Sequence, residues 1–508
     1  MDRERDIDHI ISRILAGERN LEKLKREASR NGSMIKNPEI LERFPGEKLT
    51  DEIKQLLLKK PTKTLSGVTP VAVMIKPQDS CSHSCIYCPF TGLAAKSYTG
   101  LEPAAMRSRQ HGFDPFLQAS ERVKQYEGAG HSGEKCEVIV MGGTFLEMDP
   151  AYKRSFIKGV YEGLNGKRSD NLEDALKENE QSEHRAIGLT IETRPDVCIS
   201  HIDEMLSYGA TRVELGVQHP DDDIYRIINR GHTVRDVMDA TRHLKNCGFK
   251  VAYHIMPGLP GSNPEEDMLA IRWIFEDPGF RPDMLKIYPT LVLEGTQLHE
   301  MMKKGEFRPY STEQAADVIS DFYCHIPKYV RVMRIQRDIP AQKIESGVTK
   351  SNLRELVEKK IREKGIKPAE IRYREIGLNK KTDLEGFEIT PMEYPASGAK
   401  EVFLSYENED GLIAAFTRLR LPKESLRPEI DSNSALIREL HVYGKSLPLS
   451  SEGEIQHKGM GASLLKEAET VAKYDGRDRM VIISGVGARK YYEKQGYSRL
   501  GPYMAKSI

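Results

Sequence analysis

The first 65 or so residues carry apolar positions at helical spacing: Ile10, Ile11, Ile14 and Leu15, then Ile53, Leu56 and Leu57. From about Val71 the period changes. Short β-branched runs, VAVMIK, EVIVMGG (137–143), IGLTIE (187–192), RVELGVQ (212–218), KVAYHIMPG (250–258) and DMLKIYP (283–289), alternate with helical segments, which predicts parallel strands joined by crossover helices. Six such units predict an α/β fold, a partial (β/α)6 barrel of the TIM type, in which chemistry collects at the C-terminal ends of the strands. The polar stretch 166–185 reads as a surface excursion before the third strand. Beyond about Pro391 the pattern becomes α+β. Antiparallel strands are expected over 401–407, 411–420 and 435–444, then a glycine-rich turn into a helix, a strand RMVIISG and a helix ARKYYEKQGY.

These shifts divide the 508 residues into a basic helical extension (1–68), the strand–helix repeat (69–325), a basic linker (326–390) and the α+β unit (391–508). Lys+Arg and Asp+Glu each total 76, so a globally basic protein held on nucleic acid by charge excess is excluded. The zero is a sum over unequal parts. Seven basic residues face three acidic ones between Arg13 and Lys36, and fifteen face seven between Lys328 and Lys380. A solvated connector and a surface for an anionic partner explain the second excess equally well. No stretch approaches the roughly 20 apolar residues of a membrane span, and the charged N-terminus is unlike a secretory signal. A cytoplasmic protein with no membrane partner is expected.

Seven cysteines are too few and too uneven for a disulfide framework. Cys81, Cys85 and Cys88 crowd together while the other four are scattered. The spacing C-x3-C-x2-C directly after a strand puts three thiolates on one loop, enough for three irons of a [4Fe–4S] cluster, with the fourth iron left open. That corner is what S-adenosylmethionine (SAM) needs to chelate iron through its amino and carboxylate groups. A structural zinc site, with His83 or a distant cysteine as fourth ligand, is the rival reading.

The motif resembles the radical SAM superfamily, in which an aromatic residue, here Tyr87, usually stands beside the last cysteine. The resemblance implies that Gly142, Gly143 and Thr144, after the second strand, approach the methionyl amino group of SAM. It makes Glu192, Arg194 and Gln218 candidate SAM contacts, with hydrogen bonding at the barrel rim as the alternative. Lys286 either points at SAM or substrate or sits in a satisfied ion pair. In the C-terminal part, Gln456-His457-Lys458-Gly459-Met460-Gly461-Ala462 runs into a helix, where bare backbone N–H groups and the helix N-terminus can wrap a pyrophosphate. With its flanking strands this resembles the GNAT acetyltransferase fold and implies acetyl-CoA as co-substrate. Tyr491 and Tyr492 point about 100° apart on their helix, so one can pack while the other presents a hydroxyl to the acyl thioester.

The two parts together resemble the catalytic subunit of Elongator in its stand-alone archaeal and bacterial form, over nearly the whole chain. SYTGLEPAAMR (97–107), HIMPGLPG (254–261), RIQRDIP (334–340) and RELHVYG (438–444) are among the matching segments. Many members of that family space the first two cysteines more widely. The resemblance implies that a deoxyadenosyl radical takes hydrogen from the methyl group of acetyl-CoA. The resulting carbon radical adds to C5 of the wobble uridine of tRNA, and thioester hydrolysis leaves 5-carboxymethyluridine. An electron donor is then a required partner, and a homodimer is open to it. Lys23, Lys25, Arg26 and Arg30, then Arg331, Arg334, Arg337 and Lys343, are the expected phosphate contacts. Two other functions compete: a protein lysine N-acetyltransferase with a structural radical SAM domain and Glu439 as base, and a non-catalytic tRNA-binding scaffold.

Overall fold

The computed structural model describes residues 2–28, 35–58, 67–78, 81–378, 384–443 and 459–508. In the first of two seven-stranded sheets, β1 (Thr69–Met74), β2 (Lys135–Met141), β3 (Arg185–Thr193), β4 (Arg212–Gln218), β5 (Lys250–Ile255) and β6 (Met284–Ile287) lie side by side in sequence order, all parallel. Helices cross over between successive strands, which curls the sheet into a half-barrel. Along β4, Val213, Leu215 and Val217 join the hydrophobic core, while Glu214, Gly216 and Gln218 alternate with them and line a cavity inside the curl.

A two-residue strand, β7 (Val292–Leu293), pairs with β9 (Ile344–Ser346), and between them β8 (Arg331–Ile335) adds to β6 as a seventh parallel strand. The basic segment expected to be a linker therefore begins inside the sheet, with Val332 and Ile335 buried. The excursion over 166–185 is also more ordered than its polarity suggests. Asn171 accepts a hydrogen bond from the Asp174 amide (2.9 Å) and starts the helix Leu172–Asn179, which buries Leu172, Ala175 and Leu176 at one face.

Before β1, the helices Asp2–Leu15, Leu21–Ala28, Asn37–Arg43 and Asp51–Leu57 share a small core of their own, built on Ile10, Ile14, Leu24 and Ile40. The second sheet comprises β10 (Glu388–Ala396), β11 (Ala399–Glu407), β12 (Ile413–Leu421), β13 (Ser434–Val442), β14 (Arg479–Ile482), β15 (Ser498–Leu500) and β16 (Tyr503–Ser507), in the order β10-β11-β12-β13-β14-β16-β15. Among the described residues of this sheet only the β13–β14 pair is parallel. This mixed sheet fits an acetyltransferase-like domain.

The second sheet meets the first at the N-terminal ends of its strands. Arg438 donates to the Phe249 carbonyl and Tyr503 to that of Cys247, both at 2.9 Å. At Gly485 the approach is so close that a Cβ would fall 2.0 Å from the Ile187 carbonyl oxygen. At the centre, Asp283 receives both Nη atoms of Arg438 at 2.7 Å, Arg438 also reaches Glu401 (2.6 Å), and Arg420 meets the other oxygen of Glu401 (2.8 Å). Among the described residues no helix is long and apolar enough to cross a membrane.

Candidate active site

The loop that leaves β1 carries Cys81, Cys85 and Cys88 to the C-terminal edge of the parallel sheet, where all three line a cavity of about 620 Å³. Two arginines hold the loop by its sulfurs. Arg194, just past β3, donates to Cys81 Sγ, and Arg230, past β4, donates to Cys85 Sγ, each at 3.4 Å. Burial and the neighbouring Cys85 push the Cys88 thiol up to about 12, so a positively charged ligand is needed to keep it as thiolate. Among the described residues, ligand-type atoms gather within 4.8 Å in Glu127–Glu183–His184 and in Glu192–Glu214–His254, but the three sulfurs are not drawn together in this way. Sulfurs on one tetrahedral zinc stand about 3.8 Å apart. An all-sulfur donor set and guanidinium donors to two of the sulfurs fit the corners of an iron–sulfur cluster.

The glycine pair after β2 divides its work. Gly142 has φ +123°, and a Cβ there would fall 2.7 Å from Ile75 side-chain carbons; at Gly143 a Cβ would meet nothing within 4 Å. The first glycine permits close packing and the second leaves bare backbone at the cavity. Thr144 lines the cavity beside them. Glu192 accepts hydrogen bonds from the Gly142 amide (3.2 Å) and the Tyr98 hydroxyl (2.9 Å). Gln218 ends β4 with φ +69°, a conformation unfavourable for a side-chain-bearing residue, and lines the same cavity. Besides Cys81, Arg194 is held by Ser82 and Asp196, both at 3.0 Å.

Lys286 lines the cavity and is ion-paired there. It donates to Glu214, whose same oxygen lies 2.9 Å from His254 Nε2, and its ammonium is 3.8 Å from Glu192. Burial alone would raise the Glu214 carboxyl, but Lys286, His254 and Arg212 hold it well below the usual range.

In the second sheet, Gln456, His457 and Lys458 lie outside the described residues. Gly459, at φ +76°, caps the helix Met460–Tyr474. Met460 is buried, Ala462 half-buried, and Gly461 is so placed that a Cβ would fall 2.6 Å from the Tyr491 hydroxyl and 3.6 Å from Val442. β13 pairs with β14 only from Ser434 to Ile437 yet runs on to Val442. Among the described residues a gap therefore opens past Ile437, with Gly461 and Tyr491 beside it. Tyr492 is buried, its ring edge-on to those of Tyr491 and Tyr497. It is a packing residue, so of the two expected catalytic tyrosines only Tyr491 meets the turn. Glu439 is occupied by Arg418 Nε at 2.7 Å, which removes it as a free base.

The expected phosphate contacts scatter. Lys25 is buried and donates to Asn37 Oδ1. The Arg331 side chain is 19% exposed and spends its guanidinium on Glu375 (2.9 Å) and the Tyr443 hydroxyl (2.8 Å). Both charges are consumed inside the molecule, which corrects the surface role expected of them. Lys23, Arg26 and Lys343 are exposed, and Arg30 lies outside the described residues. Arg334 and Arg337 line the cavity instead, the former paired with Asp338, the latter donating to the Ser97 carbonyl and lying 5.2 Å over the Tyr98 ring. Sequence reasoning missed Tyr98, Arg107, Arg122, Glu214, Arg230 and His254. One signal existed: Gly231, φ +80°, lets the chain after Arg230 pass against His83, where a Cβ would collide at 2.3 Å.

A curled parallel sheet whose C-terminal edge carries three cysteines and a bare-backbone glycine defines a radical SAM protein, here joined to an acetyltransferase-like sheet. The models for the Radical SAM superfamily and the Radical_SAM C-terminal domain match residues 75–274 and 282–363. The tRNA uridine(34) acetyltransferase of Methanocaldococcus jannaschii is 49% identical over 480 residues, 90% of this chain and 88% of that one. Elongator complex protein 3 of Homo sapiens is 42% identical over 89% of this chain and 86% of its own. The solved structure of the archaeal Methanocaldococcus infernus Elp3 with an N-terminal deletion superimposes with a TM-score of 0.78 at 44% identity, over 87% of this chain and 99% of that one. The chain belongs to the family of tRNA uridine(34) acetyltransferases and Elongator complex protein 3.

Proposed function

We propose that the protein carboxymethylates the wobble uridine of tRNA, using acetyl-CoA as carbon donor and yielding 5-carboxymethyluridine. The observation that carries this is a three-cysteine cavity and a gap between β13 and β14 beside the glycine-rich turn on one chain, with relatives named for tRNA uridine(34). When bound, a [4Fe–4S] cluster and SAM supply a 5′-deoxyadenosyl radical strong enough to take hydrogen from the methyl group of acetyl-CoA. Cys81, Cys85 and Cys88 are the cluster ligands in this reading. Arg194 and Arg230 steady the first two, and Gly143, Thr144, Glu192 and Gln218 orient SAM.

Residues 456–462 hold the CoA pyrophosphate at the helix N-terminus. Burial raises the Tyr491 hydroxyl above its ordinary value, so it stays protonated and can donate to the leaving thiolate of CoA when water cleaves the thioester. The methyl carbon of an acetyl thioester is not an electrophile, so a carbon radical formed there is a direct way to join it to C5 of uracil. An unstacked anticodon base is the kind of target RNA enzymes capture. Lys23, Arg26, Arg334, Arg337 and Lys343 are the proposed phosphate contacts. Segment 1–68 would serve RNA binding, 69–325 radical generation, 326–390 a basic wall and 391–508 acyl-CoA binding. The lysine-acetyltransferase alternative loses its base, because Glu439 is tied to Arg418.

The test uses reconstituted, reduced protein with SAM, acetyl-CoA and bulk tRNA, read by mass spectrometry of the tRNA nucleosides. Conversion of wobble uridine to 5-carboxymethyluridine supports the reading. SAM cleavage with unmodified uridine overturns it.

A further inference from the structure

Eight Lys or Arg side chains and four carboxylates line the cysteine cavity, in a chain whose net charge is zero. Much of that charge is matched. Lys286 meets Glu214, Arg194 meets Asp196, and Arg334 meets Asp338. Glu102 accepts the amides of Thr99 and Gly100 at 2.9 and 3.0 Å. Arg230 is spent on Cys85 and the Gly216 carbonyl, Arg337 on the Ser97 carbonyl and Lys96 on that of His83. Among the described residues two guanidinium groups from neighbouring helices reach no carboxylate, thiol or backbone carbonyl, Arg107 on Pro103–Gln110 and Arg122 on Pro115–Glu127.

Among the described residues the Arg107 side chain has neither a hydrogen bond nor an ion pair, although Asp338 lies within its electrostatic reach. Arg122 has only neutral partners, Gln125 at 3.1 Å and the Tyr126 hydroxyl at 2.9 Å, and lies 4.3 Å over the Tyr126 ring. Its Nε is buried with no partner. The two cations also feel each other: Arg107 is pushed down to about 10, by burial first and by Arg122 second. Two half-buried like charges turned into one cavity without an anion form an incomplete arrangement.

We propose that Arg107 and Arg122 form a phosphate subsite at the rim of the cysteine cavity, taking a phosphodiester of single-stranded RNA beside the base that enters. The planar forks of two arginines match phosphate oxygens in pairs, and their charge carries no sequence preference. Aromatic Tyr98 and Tyr288 line the same cavity and can stack an unpaired base. A phosphate of acetyl-CoA has the same chemistry. RNA is favoured because the glycine-rich turn that would hold the phosphates of CoA belongs to the other sheet, which docks at the opposite ends of the parallel strands. The inference rests on tRNA being the substrate.

The experiment measures tRNA affinity of the full chain by filter binding between about 50 and 200 mM salt, with acetyl-CoA affinity measured in parallel, for wild type, Arg107→Gln and Arg107→Lys. Arg107→Gln should weaken tRNA binding about tenfold at the low end, flatten the log–log salt slope by about 0.7 and leave acetyl-CoA affinity alone. Arg107→Lys, which keeps the charge and serves if the glutamine variant fails to fold, should retain the slope while losing part of the affinity. Unchanged tRNA affinity and slope in Arg107→Gln, or Arg107→Lys binding as tightly as wild type, overturn the subsite. So does a loss confined to acetyl-CoA. Wild type that fails to bind tRNA overturns the substrate reading itself and the subsite with it.

Discussion

At the N-terminal ends of the parallel strands, Arg418, Arg420 and Arg438 meet Asp283, Glu401 and Glu439, and no buried polar atom of these six lacks a partner. At the C-terminal ends, Arg122, Arg194 and Arg230 each keep a buried Nε with no partner and face open space. The residue types are the same at both ends. The difference lies in what the rest of the chain delivers to them: the arginines of the first group stand on the second sheet and meet Asp283 and the carbonyls of Phe249 and Tyr329 from the parallel-sheet side, while the second group surrounds a cavity. A charge network completed within the protein holds its parts together, and one left open beside a cavity can be completed by a ligand.

The largest expected effect breaks the cavity end alone. Cys85→Ala should reduce 5′-deoxyadenosine formation by the reduced protein to background while thermal unfolding stays put; a variant that still cleaves SAM would remove the cysteine loop from the chemistry. The converse substitution is Asp283→Asn. It strands Arg438 and Lys245 in the interior and should cost about 3–5 kcal/mol, seen as an earlier midpoint in urea. A midpoint equal to wild type would mean the docking network is not what secures the two sheets.

Tyr491→Phe should lower acetyl-CoA turnover by about a hundredfold or more with no change in melting, whereas Tyr492→Phe, in the packed position, should act mainly on melting. Equal losses of turnover from both would erase the distinction drawn between them.

Acid should weaken the docking end with a calculable sign. Burial alone would raise the Asp283 and Glu401 carboxyls, but Arg438 and Lys245 hold both below their ordinary values of 3.8 and 4.5. As pH falls, the unfolded chain takes up these protons first. Their stabilisation is therefore complete above about pH 4.5 and drains away below it. Urea midpoints measured from pH 7 down to 3 should show a steeper acid decline in wild type than in Asp283→Asn. Parallel declines would assign the acid sensitivity to other carboxylates.

The parallel strands were legible because each is a short β-branched run, and the cysteine loop because its three thiols lie within eight residues. β8 was hidden: Arg331 and Arg334 make its segment look solvated, and only pairing with β6 reveals a strand. Glu192, Glu214, His254 and Lys286 come from four different strands. They meet because parallel register sets Glu192 beside Glu214 and His254 beside Lys286, a relation that no local pattern encodes. Lys25 and Arg331 look like any surface cations in the sequence, and packing turned both inward.

From the sequence alone came the chemistry on offer: three thiols on one loop, bare glycine backbone after a strand, a glycine-rich helix start and two adjacent tyrosines. These are short-range features, set by spacing along the chain and by the fixed geometry of strand and helix. Tertiary structure decided which of the charged and aromatic groups remain free to act. A guanidinium is committed or available according to what distant segments bring within about 3 Å of it, and that is settled only when the chain has folded.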